Sequence, residues 1–148
     1  MPTLNGVLLP DGALVNVSVG WSAADTQQQR AALKPVPPPG DFRAVLDTGA
    51  EVTCLDAAVV QQLGLPVEGV TITNVPAAGG LTYGMQYKAR LTVVHPSGNP
   101  QDCLEIDGLV VVELSLGPLG YHALLGRDVL ARCDFLYSGP GGTFSLTY

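Results

Sequence analysis

Residues 42–55 read Phe-Arg-Ala-Val-Leu-Asp-Thr-Gly-Ala-Glu-Val-Thr-Cys-Leu. The apolar run from Phe42 to Leu46 is typical of a β-strand, and it leads directly into Asp47. Gly49 follows two residues later, and aspartate and glycine both favour tight turns. A second apolar run begins after this turn. The pattern predicts a carboxylate presented at the point where a strand ends and the chain turns sharply.

The composition indicates a single, mainly β domain over residues 1–148. Of the 148 residues, 47% are hydrophobic and 14% are charged, so the chain can bury a sizeable core. Eighteen glycines and twelve prolines separate short apolar runs, which favours many strands and few helices. The net charge of −6 argues against nucleic acid as a partner.

The beginning of the chain and its cysteines favour a cytoplasmic protein. Residues 1–5, Met-Pro-Thr-Leu-Asn, carry neither the basic nor the apolar region of a secretory signal. No apolar run approaches the roughly 18 residues of a membrane span. Cys54, Cys103 and Cys133 are odd in number and widely spaced, which fits reduced thiols better than a disulfide framework. The sequence predicts no metal, no cofactor and no membrane association.

Local signals predict several further elements. Leu8 to Val15 is expected to form a hairpin around a Pro-Asp-Gly turn. Residues 21–41 are rich in Ala, Gln and Pro, and they are interpreted as an inserted loop with one short helix capped by Ser22. Residues 57–63 should form a second short helix, with Asp56 as its N-terminal cap and a glycine and a proline ending it.

Two segments together carry a family resemblance. Residues 45–50, Val-Leu-Asp-Thr-Gly-Ala, and residues 124–130, Leu-Leu-Gly-Arg-Asp-Val-Leu, resemble the retropepsins, the homodimeric aspartic proteases of retroviruses and their bacterial and cellular relatives. The order of the predicted elements between Phe42 and Leu136 is similar as well. The resemblance implies a closed β-barrel of the acid protease fold, with one or two short helices, a flap hairpin and a homodimeric assembly.

The resemblance also implies a role for each residue of the turn. Asp47 would be the catalytic residue, and each of two subunits would supply one such carboxylate. Thr48 would form a hydrogen bond across the dimer axis, and Gly49 would let the backbone approach the substrate. Ala50 provides no hydroxyl donor at a position where pepsin-like enzymes often have serine. Another interpretation of Asp47 is that it is simply a strand-end turn residue.

Two further regions gain a role from the resemblance. Arg127 would form a salt bridge to Glu51 beneath the active-site loop, the alternative being a solvated residue at the start of a helix. The glycine-rich hairpin would form a mobile flap that closes over substrate and excludes water, unless it is an ordinary hairpin turn. The flap residues would be Ala77, Ala78, Gly79, Gly80, Leu81 and Tyr83. Whether Tyr83 or Met85 faces substrate is left open by the sequence.

The leading hypothesis is an aspartic endopeptidase that is a homodimer and acts on polypeptides. The C-terminal hairpin, residues 135–148, is the candidate dimer interface, because Phe144, Leu146 and Tyr148 alternate with polar residues and an uncovered apolar strand is an aggregation hazard. One alternative is a binding or dimerisation module of the same fold without turnover. Another is a β-barrel that binds a small ligand, but the segment around Arg127 would then be unexplained.

Overall fold

Strands dominate the secondary structure. The computed structural model describes residues 1–75 and 79–148. Its strands are β1 Thr3–Val7, β2 Leu14–Gly20, β3 Gly40–Leu46, β4 Cys54–Asp56, β5 Val67–Val75, β6 Gly80–Val93, β7 Leu104–Leu114, β8 Ala123–Leu125, β9 Asp134–Ser138 and β10 Thr143–Thr147. Its α-helices are α1 Ala23–Ala31, α2 Ala57–Leu63 and α3 Arg127–Leu130. Short 3₁₀ turns lie at Pro100–Asp102 and Gly117–Leu119. The predicted mainly β class is confirmed.

Six of the strands close into a barrel. Neighbouring strands pair in the order β2-β3-β8-β4-β7-β6, and β6 returns to pair with β2 between Val17–Val93 and Gly20–Arg90. Strand β5 extends beyond the barrel as the antiparallel partner of β6. The closed barrel that the family resemblance implies is therefore present.

The barrel interior is filled by alternate side chains of its strands. In β2, Val15, Val17 and Val19 are buried, whereas Asn16 between them is exposed. Strand β6 repeats this period of two with apolar side chains that join the same core. Within the described ranges, no helix combines the length and apolar character that a membrane crossing would need.

A separate three-stranded sheet joins the two ends of the chain. Its order is β1-β10-β9, so β10 is the central strand and has a neighbour on each edge. Phe144 and Leu146 of β10 are 3% and 0% exposed and pack into the protein's own core, against which Tyr148 also packs. Phe144 and Leu146 therefore do not present the uncovered apolar face that the alternation suggested, because this face of the sheet packs against the core, and the assignment of residues 135–148 to a dimer interface stays a prediction. The exposed apolar side chains of the hairpin are Leu136 and Tyr137 in β9.

The predicted N-terminal hairpin is also only partly correct. Leu9 and Gly12 hydrogen-bond to each other in both directions, at 3.0 and 2.9 Å, and so form the expected tight turn around Pro10 and Asp11. The strands on either side then separate, since β1 pairs with β10 and β2 pairs with β3. The turn projects Asp11 from the end of the barrel that also carries Leu46 and the segment after it.

Residues 21–41, predicted to be an inserted loop, contain the predicted helix. Ser22 caps α1 by accepting a hydrogen bond from the backbone N–H of Asp25 at 3.2 Å, and it donates to the Asp25 carboxylate at 2.7 Å. Helix α1 has no buried residue. Trp21 anchors its start to the end of α2 by donating from Nε1 to the carbonyl of Leu63 at 2.8 Å. Tertiary contacts at this end therefore fix a helix that its own sequence favours only weakly.

Asp56 joins α2 to the loop before β8. Its carboxylate is buried and accepts backbone hydrogen bonds from Leu116 at 2.7 Å, Gly117 at 2.9 Å and Ala58 at 3.2 Å. Burial alone would raise the pKa of this carboxyl group. The three backbone donors, with a smaller contribution from His122, outweigh burial and lower the pKa of Asp56 below its ordinary value. The ionised form is therefore favoured by the folded state.

Replacing Asp56 by asparagine should make stability less dependent on acid pH. At neutral pH we expect Asp56→Asn to reduce the free energy of unfolding by about 2 kcal/mol, because buried donors lose a charged acceptor. Since the pKa is lower in the folded than in the unfolded state, this contribution is present above the unfolded value, about pH 4, and is lost as pH falls through the folded pKa. Urea unfolding of wild type and Asp56→Asn at a fixed protein concentration, repeated over a series of pH values, measures this contribution to the free energy of unfolding. Asp41→Asn, at an exposed carboxylate, is the control. The assignment would be contradicted if the free energy of unfolding of Asp56→Asn differed from that of wild type by the same amount at every pH down to the acid limit.

Candidate active site

Asp47 is held in a tight, hydrogen-bonded turn directly after β3. Its backbone N–H donates to the carbonyl of Leu125 in β8 at 3.0 Å, which fixes the end of the strand. Its Oδ1 accepts a hydrogen bond from the N–H of Gly49 at 2.8 Å. The N–H of Ala50 donates to the Asp47 carbonyl at 3.3 Å and closes the turn. The carboxylate is half-buried, in a fixed orientation at the edge of a cavity.

The sheet topology brings the two segments of the resemblance into contact. Strand β8 lies between β3, to which it is parallel, and β4, to which it is antiparallel. The loop from Asp47 to Thr53 must therefore pass over the end of β8, where Gly126 stands. The N–H of Gly126 donates to the hydroxyl of Thr53 at 3.2 Å, and that of Arg127 donates to the carbonyl of Ala50 at 2.9 Å. The segment after β8 thus forms the floor of the Asp47 loop.

Thr53 and Asp128 form a second connection that the sequence analysis did not identify. Thr53 is fully buried, and its N–H and hydroxyl donate to the two carboxylate oxygens of Asp128 at 2.9 and 2.8 Å. The N–H of Val129 also donates to this carboxylate, at 2.8 Å. A threonine within an apolar run and an acidic residue in the first turn of a helix are the signals that could have suggested this pair. Together they join the far end of the loop to α3.

Arg127 supports the loop through a different partner from the one predicted. Its Nη1 donates to the backbone carbonyl of Thr48 at 3.0 Å. Across the described residues, the ion pairs within 4.0 Å join Lys88 to Glu68 and Arg90 to Glu105 and Asp107, so the predicted pair with Glu51 is not formed. Glu51 is exposed. A carbonyl already fixed by the turn is a less costly partner for the guanidinium than a flexible, solvated carboxylate.

The cavity at the Asp47 turn has a volume of about 340 Å³. Four segments line it: residues 11–13, the end of β3 with Asp47 and Thr48, strand β9, and the loop before β8, which contributes Tyr121. Its side chains with polar groups or aromatic rings are Asp11, Asp47, Thr48, Tyr121, Phe135 and Tyr137. The cavity therefore places the carboxylate of Asp47 beside strand β9, which carries the exposed Tyr137.

Cys54 lies directly behind the loop but is chemically protected. Its side chain is fully buried, and its thiol donates to the carbonyl of Val52 at 3.6 Å. Burial, with the nearby carboxylates of Asp128 and Asp47, raises the pKa of the Cys54 thiol to about 12. The reactive thiolate is therefore scarce near neutral pH, and Cys54 should be inert towards thiol-directed reagents.

The predicted flap corresponds to the hairpin of β5 and β6, which pair from Val67–Tyr87 to Val75–Gly80. Ala77 and Ala78 lie outside the described residues. Gly79 and Gly80 have φ of +94° and +103°, a region that glycine adopts without strain. Leu81 and Tyr83 are 78% and 75% exposed.

The structure decides the orientation of the hairpin that the sequence left open. Tyr83 lies on the same face of β6 as Met85 and Tyr87, because side chains two apart share a face. Met85 and Tyr87 belong to or pack against the barrel core. Ile72 of β5 pairs with Tyr83 and is also exposed. The hairpin therefore continues the inner, apolar face of the barrel beyond the barrel itself.

Comparisons with known proteins agree with this geometry. Residues 40–129 match the aspartyl protease family. The crystal structure of a retropepsin-like aspartic protease from Rickettsia conorii has a similar fold, with a TM-score of 0.52 over 99% of this chain and 90% of that chain, at 16% sequence identity. No curated protein gives a significant match. Because the family match covers more than half of the sequence, including the Asp47 turn and the segment that forms its floor, the chain belongs to the aspartyl protease family and has a retropepsin-like fold.

Proposed function

We propose that this protein is an aspartic endopeptidase whose active site contains two Asp47 carboxylates, one from each subunit of a homodimer. The observation that carries the proposal is the Asp47 turn. It presents a carboxylate at a cavity, with Oδ1 bonded to the N–H of Gly49 and the loop braced by the segment around Gly126. Each chain has one such turn, and the chemistry needs two carboxylates.

The proposed mechanism uses a water molecule between the two carboxylates. Two carboxylates in close contact do not both ionise readily, and in aspartic proteases, the class best known for this behaviour, they share one proton. One Asp47 would remove a proton from the water as it attacks the peptide carbonyl, and the other would protonate the carbonyl oxygen. As the resulting diol collapses, the first Asp47 would transfer its proton to the leaving amine, and the second would recover a proton from the diol hydroxyl. Thr48 and Gly49 would fix the relative positions of the two loops and leave room for the substrate backbone.

A two-fold contact is the simplest source of the second carboxylate. A copy that brings its own Asp47 to this one must cover the surface around the Asp47 turn. That surface includes exposed Thr48 and the neighbouring strand β9, whose Tyr137 lines the cavity and is 60% exposed. The outer edge of β9 has no strand partner in the described part of the chain, so its backbone groups can pair with another copy. We therefore place the interface on the Asp47 loop and β9.

The β5–β6 hairpin would supply the flap. Its exposed apolar face, with Ile72, Leu81 and Tyr83, offers the kind of surface that covers an extended peptide and excludes water from the reaction. The continuity of this face with the barrel interior supports the same role.

Cleavage of a mixture of denatured proteins, with sequencing of the new ends, tests the proposed activity. We expect endoproteolytic products and inhibition by statine-type compounds, which imitate the tetrahedral intermediate. Metal chelators and reagents directed at serine or cysteine should have no effect, since the proposed chemistry uses neither a metal nor a covalent nucleophile. Intact substrates after prolonged incubation with dimeric protein would instead favour a binding or dimerisation module without turnover.

Replacing Leu136 by aspartate should weaken the dimer. Leu136 is 65% exposed on β9, and a charge there would approach its symmetry mate and repel it when the β9 strands of two copies pair, so we expect the dissociation constant to rise by at least about tenfold. Activity at low protein concentration should fall in parallel. Sedimentation at several concentrations measures the change. Leu33→Asp, at a leucine that is 94% exposed in the insertion, is the matched control. If Leu136→Asp and Leu33→Asp dimerise equally well, β9 is not part of the interface.

A further inference from the structure

The cavity beside Asp47 contains a second carboxylate that the proposed chemistry does not use. Asp11 lies at the tip of the turn closed by Leu9 and Gly12, and it is exposed. A Cβ atom at Gly120 would lie 3.4 Å from its Oδ2, so the carboxylate lies over the chain immediately before Tyr121. Within the described residues, Asp11 has no ion-pair partner. Its charge is therefore available to a ligand in the cavity.

Tyr121 is the second unused group in this cavity. Its side chain is 8% exposed and lines the same cavity, and it makes no hydrogen bond to the part of the chain that the structure describes. The hydroxyl itself remains accessible to solvent, so a group that enters the cavity and displaces water would have to replace that water as its hydrogen-bonding partner. Burial, with the charges of Asp47 and Asp11, raises the pKa of Tyr121. The hydroxyl stays protonated, and its oxygen can accept a hydrogen bond from a cation.

The charge of the lining decides the kind of ligand. Its ionisable side chains are the carboxylates of Asp11 and Asp47 and the phenols of Tyr121 and Tyr137, and no lysine, arginine or histidine of the described residues lines it. An acidic side chain would be repelled, and an apolar one would leave both Asp11 and Tyr121 without partners. A lysine or arginine side chain would pair with both, and its aliphatic stem could lie along the ring of Phe135.

We propose that Asp11 and Tyr121 form a specificity pocket for a lysine or arginine side chain of the substrate, next to the bond that is cleaved. The pocket shares its wall with Asp47, so a side chain bound there belongs to a residue close to the scissile peptide. This inference rests on the proposed protease function. Asp11 and Tyr121 act on the choice of substrate, and neither takes part in the proton transfers assigned to Asp47.

The test begins with the ends produced from a mixture of denatured proteins. We expect lysine and arginine to be enriched at one fixed position relative to the cut. Peptides that differ only there, with lysine, methionine or glutamate, then measure the preference as a ratio of kcat/KM values. The lysine peptide should exceed the methionine peptide by about fivefold to tenfold, the range for a charge pair that substrate covers.

Variants at Asp11 assign the preference. Asp11→Asn should reduce the lysine-to-methionine ratio to about one by lowering kcat/KM for the lysine peptide, and Asp11→Lys should reverse the preference towards glutamate. Tyr121→Phe should reduce the lysine-to-methionine ratio less than Asp11→Asn does. The control is Asp41→Asn, which makes the same change of charge at an exposed site at the start of β3 and should leave the ratio unchanged.

Three outcomes would overturn this inference and leave the proposed protease standing. The first is wild-type cleavage without a preference for basic residues. The second is a basic preference that survives in Asp11→Asn. The third is an Asp11→Asn variant that cleaves no peptide or no longer sediments as a dimer. The last would place Asp11 in the chemistry or in the subunit contact. Absence of cleavage by the wild-type protein would overturn both proposals.

Discussion

Asp47→Asn should abolish peptide cleavage and leave the protein folded. Asparagine has the size of aspartate and keeps a side-chain oxygen that can accept the hydrogen bond from Gly49, so the turn should persist. It can neither remove a proton from water nor share one with its symmetry mate. In the proposed dimer both subunits would lose the group at once, so we expect kcat to fall at least about a thousandfold.

Three measurements are needed for this variant: kcat on one peptide, the melting temperature and the sedimentation coefficient. The last two should match the wild-type values. Asp41→Asn carries the same change of charge at an exposed site and should retain activity. Cleavage by pure Asp47→Asn at a rate near the wild-type value would refute the assignment of the site.

Gly126→Ala should have the largest effect on the architecture of the site. A Cβ atom at this position would lie 2.6 Å from the backbone carbon and oxygen of Val52 and 3.0 Å from the carbonyl oxygen of Ala50. These are backbone atoms of the active-site loop, so no side-chain rotation can relieve the overlap. We expect the free energy of unfolding to fall by about 3 kcal/mol. Activity should be lost because the loop must move away from its floor.

The control for this variant is Gly139→Ala. A Cβ at Gly139 would meet only the ring of Tyr137, at an ordinary contact distance of 3.8 Å. Urea unfolding of wild type and both variants at one protein concentration isolates the effect, since the stability of the proposed dimer would depend on concentration. Wild-type stability and activity in Gly126→Ala would show that the loop does not rest on the segment after β8.

Features with short-range signals were predictable from the sequence. Asp56 caps α2 through the N–H of Ala58, and Gly64 ends the helix with φ of +56°, as its sequence pattern predicts. The Asp47 turn is equally local, since a strand, an aspartate and a glycine within a few residues determine it. In each case the partner groups are close neighbours in sequence, so the pattern contains most of the interaction.

Features that depend on distant pairing were not predictable in the same way. Thr3 and Thr147 are 144 residues apart and share a hydrogen bond, and no local signal shows that β1 leaves its neighbour to pair with β10. That pairing buries Phe144, whose alternation with polar residues suits a dimer surface and a protein core equally. Thr53 and Asp128 are 75 residues apart for the same reason. Apolar alternation indicates a strand face, but the topology decides what covers it.

Mixed dimers test the central claim most directly. Wild-type protein and Asp47→Asn are unfolded together, refolded at several ratios and assayed on one peptide at a fixed total concentration. If each subunit supplies one of two essential carboxylates, mixed dimers are inactive, and activity will fall with the square of the wild-type fraction. Refolding wild type with Asp41→Asn, in which every dimer keeps both Asp47 carboxylates, should show no such loss. Activity that falls in simple proportion to the wild-type fraction would mean that one chain is a complete active site, and it would contradict the account.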